Sequence, residues 1–317
     1  MNLSASQLKG STVLVTGSTG FIGRHLVRSL TASGARVFGL SRSTSPDIME
    51  GDGFVSDIAD RARVHEIVTR VRPAYVFHLA ANKTRTTNLE DFRRDLEDNL
   101  FGTLNLIEAC VDKPYIQRFV SLGTCEEYGH ANPPFHEEMR ESPVSAYSLS
   151  KVSMTHLLQT LYRTHHFPAV VLRASLAYGQ GQATDMFLPA LIQALLTGKR
   201  FGMSEGEQTR DYVYIDDLIE AVLLAATQPE AIGKVINVSS GVPVLLKEIA
   251  RLTARKIGKD AENLLDIGER GYRLNEVMDY VASYQLAENI LGWRPRTTLD
   301  DGLTATVEYF RKIIAEK

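Results

Sequence analysis

Tyr147 and Lys151 stand four residues apart in Tyr147-Ser148-Leu149-Ser150-Lys151. On a helix that spacing puts both side chains on one face, within about 6 Å at Cβ. An ammonium so placed favours the phenolate of a group that otherwise titrates at about 10, and turns it into a general acid/base. Such pairs also arise by chance on solvated helices, so the weight of this one depends on its surroundings. Upstream lies Thr124-Cys125-Glu126-Glu127-Tyr128-Gly129. The Thr124 hydroxyl can donate to an oxygen on which alkoxide charge develops. Glu126 can abstract a proton. Cys125 is either an acid with a thiol pKa of about 8.5 or a small buried residue.

The start of the chain supplies a partner for that chemistry. An apolar run, Thr12 to Thr16, leads through Gly17-Ser18-Thr19-Gly20-Phe21-Ile22-Gly23 into an amphipathic stretch. Gly17 permits a tight turn, Gly20 a close backbone approach to a pyrophosphate, and Gly23 the packing of helix on strand. The helix N-terminus presents amides and partial positive charge to the phosphates. Thr19, Phe21 and Ile22 belong to the same dinucleotide-binding turn, and Lys151 is placed to hold the nicotinamide ribose. The second strand ends Gly39-Leu40-Ser41-Arg42-Ser43, with no acid for the adenosine ribose. A guanidinium with flanking hydroxyls suits a 2′-phosphate, so Ser41, Arg42 and Ser43 point to NADP(H) in preference to NAD(H). Asp57 and Ile58 are expected to bracket the adenine.

These residues need a scaffold, and the patterning describes one. Strands are expected at Thr12–Thr16, Arg36–Leu40, Tyr75–Ala80, Arg118–Ser121 and Ala169–Arg173. Helices are expected at 21–32, 61–72, 95–110 and 147–165. Repeated strand-then-helix order implies a parallel sheet covered on both faces, with ligands at its carboxyl edge. After Arg173 the pattern loosens. Helical runs at 187–196, 217–226 and 245–256 alternate with expected loops at 179–182, 202–206 and 266–273. Residues 1–176 and 211–240 are assigned to the dinucleotide-binding domain, and 177–210 with 241–317 to a smaller substrate lobe.

Composition narrows the class. The 317 residues are 44% hydrophobic and 23% charged with net charge −3, and the pI is near 6.3, which argues against nucleic-acid or membrane-surface binding. Cys110 and Cys125 are too few for a disulfide framework. The stretch from Met1 to Gly10 lacks the shape of a signal peptide, and no run approaches the roughly 18 apolar residues of a membrane span. A cytoplasmic protein is expected, and no metal-ligand cluster is evident.

Thr16-Gly17-x-x-Gly20-x-x-Gly23, His78-Leu79-Ala80-Ala81, Asn99, Thr124 four residues before Tyr128-Gly129, and Tyr147-x-x-x-Lys151 together resemble the extended short-chain dehydrogenase/reductase family, in its NAD-dependent epimerase/dehydratase group. The resemblance runs over essentially the whole chain. It implies an α/β fold with a Rossmann-type doubly wound parallel sheet and a smaller mixed α/β substrate lobe. It also implies hydride exchange at a carbon of a nucleotide-activated sugar. Thr124, Tyr147 and Lys151 then look like the catalytic triad, with Asn99 in support and Leu79, Ala80 and Ala81 along the cofactor. Arg210, in Gln208-Thr209-Arg210-Asp211-Tyr212-Val213, resembles the family's diphosphate arginine. Arg273 with Glu276 resembles a second arginine and its acidic companion, and Lys83 is a further substrate-binding candidate. Leu291-Gly292-Trp293-Arg294-Pro295 matches a closing motif that reads as packing. The family also suggests a homodimer, through helices at 97–110 and 148–161.

One departure stands out: Leu176 occupies the place of an asparagine that helps bind the diphosphate. Thr124-Cys125-Glu126 is ambiguous as well, because dehydratases of the family carry Thr-x-Glu with an aspartate between, and some ketoreductases carry Glu-Glu-Tyr-Gly. The Ser41-Arg42 reading tilts the expectation to a net NDP-4-keto-6-deoxyhexose reductase, ahead of a dehydratase or a 4-epimerase. Two rivals remain: an NADPH-dependent reductase of a small non-nucleotide carbonyl, favoured by Leu176, and a non-catalytic dinucleotide-sensing protein. The sensor would not need Thr124, Tyr147 and Lys151 together.

Overall fold

A computed structural model describes residues 6–44, 52–83, 88–258 and 260–316; the opening residues 1–5, read above for targeting, lie outside these. Seven strands form one sheet in the order β11-β6-β5-β4-β1-β2-β3. They are β1 (Thr12–Thr16), β2 (Arg36–Ser41), β3 (Gly53–Val55), β4 (Tyr75–His78), β5 (Arg118–Thr124), β6 (Ala169–Ala174) and β11 (Val235–Val238). Every pairing among them is parallel. The chain leaves β1 toward β2 and β3, then returns to β1's other side for β4. That reversal opens a crevice at the carboxyl ends of β1 and β4.

Side-chain alternation divides the core between the two faces. Val13 and Val15 face one apolar cluster with Leu26 and Leu30 of helix Phe21–Ala32 and Leu218 and Val222 of helix Ile215–Thr227. Leu14 faces the other, with Val64, Leu106 and Leu158 from helices Arg61–Val71, Gly102–Cys110 and Ala146–His165. Strands covered on both sides read as unbroken apolar runs, which is why they were legible.

Beyond the large sheet lie three two-stranded pairings: β7 (Leu176–Tyr178) with β10 (Tyr212–Tyr214), β9 (Thr209–Arg210) with β12 (Val244–Leu245), and β8 (Phe201–Met203) with β13 (Leu265–Ile267). The first cluster continues through Leu188, Leu191, Ile249, Trp293 and Leu303. Trp293 is buried and its indole N–H donates to Asp217 O at 2.9 Å. The expected loops at 202–206 and 266–273 are corrected in part, because β8 and β13 pair there. Three-residue strands are too short to carry a periodic signal. The expected continuous helix at 95–110 is also corrected: helix Leu89–Asp95 passes through a π segment, Leu96–Phe101, before Gly102–Cys110. Helices Gln285–Leu291 and Leu299–Ala315 follow.

Gly23 shows how tightly the first helix sits on the glycine turn. A Cβ there would fall 2.1 Å from Gly17 O. Backbone must move to admit it, so Gly23→Ala is expected to cost about 1–3 kcal/mol. A lowered midpoint in urea, with weaker stabilisation by added cofactor, checks this.

Candidate active site

The turn after β1 is built to receive a pyrophosphate. Gly17 has φ +67°, and a Cβ there would lie 2.8 Å from Ala80 N and 2.9 Å from Leu79 C, so Leu79 and Ala80 press directly on it. Helix Phe21–Ala32 starts at Gly20 with no side-chain cap and no acid in its first turn. Its amides and positive end are thus left for an anion. Gly17, Gly20, Gly23 and the partly exposed Thr19 converge here as expected, and Phe21 and Ile22 line the adjoining cleft. Ala81 is exposed at the same edge. These residues fit a dinucleotide.

A directional chain of buried hydrogen bonds ties this turn to helix Ala146–His165. Ala80 N donates to Thr16 Oγ1 at 3.2 Å, and Thr16 Oγ1 meets His78 Nδ1 at 2.8 Å. His78 Nε2 meets Thr103 Oγ1 at 2.8 Å, and Thr103 donates to Asn99 O. Because the Thr103 proton goes to a carbonyl, its oxygen must accept, which assigns the proton of a neutral His78 to Nε2. Burial, then the Lys151 charge, hold His78 down to about 3. Asn99 Nδ2 donates onward to Ser150 Oγ at 2.8 Å, and Ser150 Oγ to Tyr147 O at 2.8 Å. Asn99 also brackets Asn82 through both its backbone groups, at 2.6 and 2.9 Å. That bracket fixes the segment carrying Lys83, which lines the cleft.

Tyr147 and Lys151 sit in the first two turns of helix Ala146–His165, opened by a Ser145 capping box. Lys151 Nζ lies 5.9 Å from the Tyr147 ring centroid and donates to Leu122 O at 2.7 Å. Burial lowers its pKa to about 8, with the Glu127 carboxylate acting the other way and Lys83 adding to the depression. Thr124 ends β5 and caps the turn Cys125–Tyr128, accepting from Glu126 N at 3.2 Å. Thr124, Glu126 and Tyr147 line one cleft of about 730 Å³.

Cys125 does not join them. It is fully buried, its thiol donates to Arg173 O at 3.3 Å, and burial pushes its pKa well up. This corrects its reading as a proton donor. The residue that sequence reasoning passed over is Glu127, also fully buried. One oxygen accepts from Thr124 N at 3.0 Å; the other accepts from Arg173 Nε and Thr155 Oγ1, both at 2.9 Å. Arg173 bonds Glu141 as well and lies 4.7 Å from the Tyr128 ring centroid. A charge in Glu127-Tyr128 opposite an arginine inside the apolar strand β6 was the available signal.

At the far end of the cleft stand Arg210 and Arg273. Arg210 donates to Val277 O at 2.8 Å and pairs with Glu276. The acidic companion expected for Arg273 therefore belongs to Arg210, while Arg273 is exposed at the cleft wall. Leu176 lines the cleft without a polar atom. Its neighbour Ser175 donates to Asp211 Oδ1 at 3.3 Å, and Asp211 also gathers Ser240 N, Gly241 N and Ala282 N.

Arg42 is exposed just beyond β2, and Ser41 Oγ donates to Ser43 O at 2.8 Å. Asp57 Oδ1 accepts from Ala59 N at 2.9 Å, and Ile58 is buried. Among the described residues no cluster of three or more potential metal ligands is found, and no helix is long and apolar enough to cross a membrane.

The buried neutral His78 has a consequence for acid stability. Its folded pKa, about 3, lies below the ordinary 6.5. As pH falls below 6.5 the unfolded chain takes up a proton that the folded chain refuses, so stability drops from about pH 6.5 toward 3. Urea unfolding between pH 7 and 5 is expected to show a steeper loss for the native chain than for His78→Gln.

Residues 13–239 match the NAD dependent epimerase/dehydratase family. dTDP-glucose 4,6-dehydratase 1 of Escherichia coli (strain K12) is 28% identical over 94% of this chain and 92% of its own length. The crystal structure of UDP-glucose 4-epimerase from Thermotoga maritima, with UDP-glucose, is similar with a TM-score of 0.88 at 29% identity, covering 95% of this chain and 99% of that one. The structure of MoeE5 in complex with UDP-glucose and NAD gives a TM-score of 0.86 at 29% identity, with the same coverage. The dehydratase and epimerase relatives do not support the net reductase expected above, and the NAD-dependent family and the NAD bound to MoeE5 do not support the preference for NADP(H). A match that runs from the first strand of the sheet to the last places this chain in the NAD-dependent epimerase/dehydratase family, extended short-chain dehydrogenase/reductase enzymes that modify nucleotide sugars.

Proposed function

We propose that this chain is an NAD-dependent 4-epimerase of a nucleotide hexose such as UDP- or dTDP-glucose. The observation that carries this reading is the division of the Thr124-Cys125-Glu126 segment: Thr124 and Glu126 line the cleft with Tyr147, while Cys125 is sealed beneath it. Epimerisation needs one proton, taken from and returned to the same oxygen. Elimination needs in addition a base for the carbon beside the ketone and an acid for the departing hydroxyl. Glu126 can serve as that base, but Cys125 cannot reach the substrate as the acid.

The mechanism follows from the chain's own groups. NAD, when bound, supplies the hydride acceptor and then the donor. Tyr147 as phenolate removes the proton of the sugar hydroxyl when its carbon is oxidised, and returns it on reduction from the opposite face. Thr124 donates to the same oxygen and steadies its charge. Lys151, a cation below about pH 8, favours the phenolate. Asn99 and Ser150 hold the first turn of the helix, and Lys83, Arg210 and Arg273 bind the sugar diphosphate along the cleft. The two arginines favour a nucleotide substrate over a small carbonyl compound, and a sensing protein needs none of this proton machinery. The family's homodimer is retained as part of the proposal, since Leu89 and Phe101 on the segment before Cys110 are exposed.

A specific observation favours a second reading. Glu126 in the cleft fits a 4,6-dehydratase, the activity named for the Escherichia coli relative. Incubation with NAD and UDP- or dTDP-glucose in deuterium oxide separates the two. The galacto epimer without carbon-bound deuterium is expected; a 4-keto-6-deoxy product labelled from solvent would establish the dehydratase instead. Tyr147→Phe is expected to lower kcat on the order of 10²-fold or more, with NAD affinity nearly unchanged.

A further inference from the structure

In doubly wound folds of this kind an acid at the end of the second strand accepts the adenosine ribose hydroxyls. Here that position passes from Ser41 to Arg42, yet the family uses NAD. The counterpart comes from elsewhere in the chain. Gly102 and Asn105, at i and i+3, share one face of helix Gly102–Cys110, and Asp98 lies four residues before Gly102, in the π turn that leads into that helix. Gly102 packs on Ile58 so closely that a Cβ would lie 2.7 Å from Ile58 Cδ1. Asn105 Nδ2 donates to Ile58 O at 3.0 Å and Ala59 O at 3.1 Å. This face therefore lies against the Asp57–Ala59 segment. The helix runs back from the carboxyl end of β4, so Asp98, a turn earlier, lies nearer the cofactor edge than either neighbour. Its carboxyl is raised by burial and then by Asp57, and drawn down by Arg42, with smaller effects from Asp95 and Arg94. Asp98 is thus within electrostatic reach of both Arg42 and Asp57.

We propose that Asp98 is a cofactor-specificity residue: it offsets Arg42 at the adenosine ribose and, with Asp57, repels a 2′-phosphate. The π turn presents an acid from the fourth strand's following helix in place of the one missing after β2. This rests on the reading of the chain as NAD-dependent. The test is the Kd of NAD⁺ and of NADP⁺, by calorimetry on protein stripped of bound nucleotide, for the native chain, Asp98→Asn, Asp98→Glu and Asp98→Asn combined with Arg42→Ala. In Asp98→Asn the preference for NAD⁺ over NADP⁺ is expected to fall about tenfold or more. Asp98→Glu should keep the native preference, and adding Arg42→Ala should remove the NADP⁺ affinity gained. All variants leave the helix packing of Gly102 and Asn105 intact, and a matching native thermal midpoint verifies folding. A native preference for NAD⁺ that Asp98→Asn changes less than about twofold overturns the role of Asp98 alone. A native preference for NADP⁺ overturns the NAD reading and this inference with it.

Discussion

Arg173 carries its charge into the middle of β6, 1% exposed, on a strand whose six residues are all buried. A lone guanidinium there would be prohibitive, and it persists because Glu127 meets it on one side and Glu141 on the other. The consequences reach the catalytic groups directly. The same Glu127 carboxylate that neutralises Arg173 binds Thr124 N and Thr155 Oγ1, which fixes the end of β5 to helix Ala146–His165. Cys125, Glu126 and Tyr128 then have no freedom of placement: the thiol faces the Arg173 carbonyl and Tyr128 bonds Asn237. Breaking one member of such a pair leaves the other charge uncompensated, so the site's geometry and the core's stability rest on one contact.

Two adjacent glutamates thus have opposite fates. Glu127 is locked in the core, and Glu126 lines the cleft. The chain of hydrogen bonds from Thr16 through His78 and Thr103 to Asn99 does for the cofactor side what Glu127 does for the substrate side. It joins the glycine turn to the helix of Tyr147 through groups that cannot ionise near neutral pH. In the proposed mechanism the proton chemistry falls to Tyr147 and to Lys151, whose ammonium is depressed to about 8 by burial.

Much of this was legible in the residues. The glycine turn, the buried strands and the Tyr147-x-x-x-Lys151 helix obey short-range rules of period and turn chemistry, and they stand where those rules put them. The failures are failures of long-range information. The absence of an acid at the end of β2 beside Arg42 points to NADP(H), a preference the family does not support; Asp98, distant in sequence, is the acid that interacts with Arg42. Cys125 read as a candidate acid because alternation alone cannot tell that the turn after Thr124 is 3₁₀ and turns the thiol inward. The family resemblance pairs Glu276 with Arg273, whereas the loop returns it to Arg210.

In the proposed 4-epimerase, hydride leaves and re-enters one sugar carbon while Tyr147 handles one proton. The most direct test is turnover of UDP- or dTDP-glucose carrying deuterium at sugar C4, with NAD bound, followed by mass spectrometry and NMR of the product. Deuterium retained at C4 of the inverted product, with none lost to water, is the result the account requires. Deuterium washed into solvent, or product that forms with equal speed in Tyr147→Phe, would contradict it.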